Sequence, residues 1–173
     1  MAVVVGALII SLLFNLHYYA TLRVENENLL HTIRARALWT YGDEAGRVAD
    51  LLEEWLETQN FDIYEEALSA IYRTGVQAAI LTQGLSEESA PMYYELKSTA
   101  WTLHHYFWFA LGPGAINLTK VGIFAQALDS IGSTISLGSF DVIKNKDPLE
   151  VLSQSDINKI VNCCQQIQEM VPY

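Results

Sequence analysis

The chain has 173 residues, of which 51% are hydrophobic and 17% charged, with 20 acidic against 10 basic side chains and a net charge of −10. That is about one domain at the usual ~100–200 residues, and so much apolar surface offsets chain entropy and excludes disorder over most of the length. The acidic balance excludes nucleic acid as a partner, because that binding needs a basic patch, and two adjacent cysteines, Cys163 and Cys164, exclude a disulfide framework.

Residues 1–22 contain no Asp, Glu, Lys or Arg. A helix over residues 2–22 would be about 31 Å long at ~1.5 Å per residue, which matches a bilayer core of ~30 Å. Tyr18 and Tyr19 fall where an interfacial aromatic belt belongs, and Arg23 can reach the headgroups. The pattern predicts a single-pass membrane anchor in contact with lipid over residues 1–22, followed by one domain over residues 23–173. Asn15 and His17 sit poorly in hydrocarbon. The shorter apolar stretch, residues 2–14, is also short enough for a buried central helix or a contact between copies, the second reading after the anchor. No basic region precedes it, and Tyr18-Tyr19-Ala20 lacks a small-x-small site, which argues against a cleaved signal. Arg23, Arg34 and Arg36 follow the segment, so the positive-inside rule turns the later domain toward the cytoplasm. Asn117-Leu118-Thr119, an N-glycosylation sequon, points the other way.

The remainder reads as helices. Val48, Leu51, Leu52, Trp55 and Leu56 recur at i, i+3, i+4, i+7 and i+8, one apolar stripe. Tyr64, Leu68, Ile71 and Tyr72 repeat that spacing within residues 61–82. Helix starts are expected at Ser86-Glu87-Glu88 and at Ser89-Ala90-Pro91, with Pro in the first turn. Tyr93, Leu96, Ala100 and Leu103 carry the next helix, which Gly112-Pro113-Gly114 terminates. Val121, Phe124, Leu128, Ile131 and Ile135 mark another, closing near Gly138. In Asp147-Pro148-Leu149-Glu150 the Asp can cap and Pro can take the first helical position. Ser155 or Asp156 should open the last helix, with Ile157, Ile160, Val161, Cys164, Ile167 and Val171 on one face. Strand-like alternation is confined to residues 139–143. The predicted fold is an all-α bundle of four to five helices behind the apolar first segment, with Leu52, Trp55 and Ile160 in its core.

Charge is concentrated in one helix pair. Between Asp43 and Glu66 lie nine acids against Arg47 alone. Asp50, Glu53, Glu54 and Glu57 share the face opposite the apolar stripe, a solvated surface, a docking face for a basic partner, or a weak divalent-cation site assembled between helices.

Catalytic motifs are missing. None of His17, His31, His104 and His105 has the Glu three residues before it that a di-iron bundle needs. His104-His105 and Cys163-Cys164 are neighbours, and adjacent helical residues point about 100° apart, too far to chelate zinc from one helix. Phosphate loops, dinucleotide fingerprints and nucleophile elbows are absent. No metal, no cofactor and no enzymatic activity is therefore expected. One segment is dense in aromatic rings and imidazoles: Trp101, His104, His105, Tyr106 and Trp108, with no Lys or Arg from Trp101 to Thr119. It reads as core and inter-helix packing, as a surface resting against a membrane, or as the lining of a pocket for an apolar ligand between helices. Two functional readings result: a non-enzymatic, membrane-anchored helical interaction protein with a protein partner or a second copy of itself, or a soluble helical bundle with an apolar ligand in an aromatic pocket.

Overall fold

The first third of the chain forms one unbroken helix. The computed structural model describes residues 2–110, 116–137 and 146–171, with side chains from residue 11 onward. Helix α1 runs Ala2–Thr58, 57 residues, about 86 Å at ~1.5 Å per residue. No proline interrupts it, so the uncharged start and the later apolar stripe share one axis. It stops at Gln59, whose φ of 52° is left-handed. The Gln59 amide donates to the Trp55 carbonyl (2.8 Å), which satisfies a carbonyl the helix end would otherwise leave open. Asn60 then caps α2 (Phe61–Leu81), its Oδ1 accepting from the Asp62 amide at 3.0 Å.

Helix α3 is Pro91–Phe109, α4 Leu118–Leu137 and α5 Gln154–Met170, with a 3₁₀ turn, η1, at Pro148–Glu150. Pro91 opens α3 as its sequence position predicts, whereas residues 86–89 make only a turn. The Asp147 side chain accepts from the Leu149 amide, but the segment after it closes a single 3₁₀ turn. Helix α5 begins earlier than Ser155, because Ser153 is the better cap: its Oγ accepts from the Asp156 amide and donates to the Asp156 carboxylate. Among the described residues there is no strand. The expected helix stop at Gly112-Pro113-Gly114, the closing Gly138 and the alternation at residues 139–143 lie outside the described residues.

The five helices pack in a closed ring: α1 against α2 and α4, α3 against α2 and α5, α5 against α4. Leu52, Trp55 and Ile160 are all fully buried, as their spacing predicts. An aromatic chain crosses the interior from Trp55 to Tyr64 (5.5 Å between centroids), to Phe107 (6.1 Å) and to Phe124 (6.3 Å). Helices α1 and α4 cross at backbone contact. A methyl placed on Gly132 would stand 2.8 Å from the Gly42 carbonyl oxygen and 2.9 Å from the Gly46 nitrogen. Only glycine permits that approach.

Two expectations for the first segment need correction. Among the described residues no helix is long and apolar enough to cross a membrane. Past Ser11 the helix soon takes in Asn15, His17, Arg23, Glu25 and Glu27, so its apolar run is diluted by polar groups a bilayer core would have to desolvate. The single-pass anchor, its lipid contact and the cytoplasmic orientation built on it are therefore not supported. Side chains 11–21 are exposed, so over that stretch the helix is not wrapped by its own chain.

Candidate functional site

The most unusual surface belongs to α1. Its bundle-facing side chains are Arg34, Leu38, Tyr41, Ala45, Val48, Leu52 and Trp55, all buried and spaced alternately by four and three. Before Arg34 no described side chain is buried. The helix thus leaves the bundle near His31 and continues as an arm. Along it Leu12, Phe14, Tyr19, Val24 and Leu29 are 55–76% exposed. Little within the arm holds it: Thr21 and Thr32 hydroxyls donate to carbonyls four residues back, and Arg23 pairs with Glu27 at 2.9 Å on the surface. Such exposed pairs contribute about 0–1 kcal/mol. Isolated helices depend on tertiary packing for most of their stability, and this one presents far more apolar surface than the few hundred Å² a monomer tolerates.

A buried polar cluster sets where the arm departs. The Arg34 guanidinium donates to Asp147 Oδ2 (3.1 Å) and to the Gln83 carbonyl (3.0 Å). Asp147 Oδ1 accepts from the Tyr93 hydroxyl (2.9 Å) and the Leu149 amide (3.0 Å). His31 Nδ1 lies 3.6 Å from the same carboxylate, too far for a hydrogen bond. Burial, then the Asp147 charge, pushes the Tyr93 phenol far above its ordinary value and keeps it a neutral donor. Three segments, α1, α3 and the turn after Asp147 itself, meet at this one carboxylate, and a fourth, at Gln83, is joined to it through Arg34. Sequence reasoning assigned Asp147 only a capping role. The missed signal was Arg34 itself, a lone cation in register with the apolar stripe.

The aromatic segment of α3 divides between two sides. Tyr106 turns inward against Phe124 (5.4 Å, edge-on), and its hydroxyl accepts from the Asn117 amide. Trp101, His104 and Trp108 share the outer face with Tyr72 of α2. Tyr72 lies 6.1 Å from Trp101 and 5.7 Å from His104, and His104 stacks on Trp108 at 5.7 Å. His105 packs on Phe109 (4.3 Å) beside them. Trp108 is 62% exposed and Trp101 41%, so the rings form an open face. Desolvation, then the neighbouring His105, lowers the His104 pKa and favours neutral imidazole.

Asp50, Glu53, Glu54 and Glu57 do line one exposed face, at the end of α1 far from the arm. Their neighbours are less free. Glu44 receives a two-point contact from Arg73 of α2 (2.9 and 3.0 Å), and Arg47 bridges to Glu66. Arg73 was overlooked because it lies outside the acidic run. The sequon residue Asn117 has a structural role, its Oδ1 accepting from the Lys120 amide at the head of α4. Among the described residues no group of His, Cys, Asp and Glu is placed to hold a metal ion. No protein-family model, no curated protein and no solved structure matches this chain.

Proposed function

We propose that this chain is a helical-bundle interaction protein, binding and not catalytic, whose projecting arm docks another protein chain. The observation that carries the reading is the exit of α1 from the bundle at Arg34 with apolar side chains bare from Leu12 to Ile33. Water is a poor environment for that surface, and a long helix with no neighbours gains nothing from packing. The buried Arg34–Asp147 contact supports the reading, since it holds the root of the arm at a fixed place on the bundle. A photo-crosslinking residue in place of Phe14, used in the native host, should give protein adducts. Adducts from a probe at Trp108 but none from Phe14 would contradict the arm.

A second reading has its own observation. Tyr72, Trp101, His104 and Trp108 expose aromatic faces side by side, and neutral imidazole between them keeps the face free of charge. It suits a planar apolar ligand. Titration with an apolar naphthalene dye should then quench tryptophan fluorescence in the wild type and not in Trp108→Ala.

A further inference from the structure

The arm carries a seam that bundle packing does not use. Leu12, Asn15, Tyr19, Leu22, Asn26 and Leu29 follow one another at spacings of three and four, and Ile33 closes the series. That is the alternation of a two-helix coiled coil. Leu12, Tyr19 and Leu29 on it are 58–70% exposed. The seam is also the same when read backwards: apolar, Asn, apolar, apolar, Asn, apolar. Resting on the docking reading above, we propose that the arm's occupant is a second copy of this chain, laid antiparallel.

In that register Leu12 faces the second copy's Leu29, Asn15 faces its Asn26, and Tyr19 faces its Leu22. Every contact is made twice about a two-fold axis near residues 20 and 21, as a closed dimer requires. Each Asn then meets an Asn, which gives its amide a partner in a seam where an unpaired one would be costly. A parallel pair would also match like with like, and charge decides between the two. Beyond Ile33 the seam continues as Arg36, Thr40, Asp43, Arg47 and Asp50, of which Arg36, Asp43, Arg47 and Asp50 are exposed. Parallel copies would set each of these charges against its own equivalent and bring two acidic bundles side by side, which is repulsive. Antiparallel copies send the bundles to opposite ends. Of the apolar side chains exposed between Leu12 and Ile33, Leu12, Tyr19, Leu29 and Ile33 lie on the seam itself, each 42–70% exposed.

Sedimentation of the full chain at tens of micromolar, with charge-swap variants, tests the proposal. Wild type should sediment as a dimer. Leu12→Glu and Leu29→Lys, each at an exposed position, should sediment as monomers and keep the near-ultraviolet signal of the buried Trp55. The double variant should recover the dimer, because each new carboxylate then faces the second copy's new ammonium. Monomeric singles with a monomeric double variant would overturn the antiparallel register. Dimeric singles would place the contact away from the arm and overturn the proposal. A monomeric wild type would overturn the second copy as occupant, while Phe14 crosslinks to a different protein would leave the docking arm standing.

Discussion

Arg34 Nη1 lies 3.1 Å from Asp147 Oδ2, both residues 8% exposed and 113 positions apart in the chain. The contact joins the root of the arm to the segment that leads into α5, and Tyr93 completes it from α3. Removing one partner strands the other charge out of water. Asp147→Ala should therefore destabilise the bundle by about 3–5 kcal/mol, the range for breaking a buried pair. Denaturant unfolding measures it, and a change within error of zero would mean that Arg34 finds solvent in the native state.

The α1–α4 crossing makes a paired prediction. Gly132→Ala forces a methyl against the Gly42 and Gly46 backbone and should cost about 1–3 kcal/mol, as overpacking does. Gly46→Ala meets no atom within 4 Å and should stabilise α1 by about 0.5–1 kcal/mol, since Ala loses less chain entropy in a helix. Thermal unfolding of the two variants gives opposite signs if the helices cross as described.

The pH dependence follows from His104. Burial first and His105 second lower its pKa, so the unfolded chain takes up a proton at a higher pH than the folded one. Stability from this group is present above about pH 6.5, the ordinary imidazole value, and is lost as pH falls from there toward the folded value. The melting temperature should fall over that window, and fall less in His104→Gln. Equal slopes in the two proteins would assign the effect to other groups.

Thiol reactivity separates the cysteine pair. Cys164 is fully buried beneath Thr99, and desolvation pushes its pKa up to about 12, which leaves almost no thiolate to react at neutral pH. Cys163 is half-buried. Native protein should react with one equivalent of an aromatic disulfide reagent and denatured protein with two. Two fast equivalents in the native state would show that α5 is not packed as described.

Periodicity carried the fold in this sequence. The stripe through Leu52 and Trp55 and the Ile160–Cys164–Ile167 face are local patterns, and each lies in the core. What failed was the boundary at residue 22. The onset of charge at Arg23 looks like the start of a new element, but no proline interrupts the helix there and α1 runs through it. The aromatic segment was legible only as a cluster of bulky rings. Which of them face inward depends on the α2 and α4 contacts made by Tyr72 and Phe124, and those lie far away in sequence. The Asp147 cluster is non-local in the same way.

Amide hydrogen exchange over residues 12–29, followed at two protein concentrations, tests most directly whether the arm is an interface. A covered arm should exchange slowly at tens of micromolar, with protection approaching that of the α1 core around Leu38 to Trp55, and should lose it on dilution or in Leu12→Glu. Immediate exchange from Leu12 to Leu29 at every concentration, beside a protected bundle, would show a bare helix in water and contradict the account.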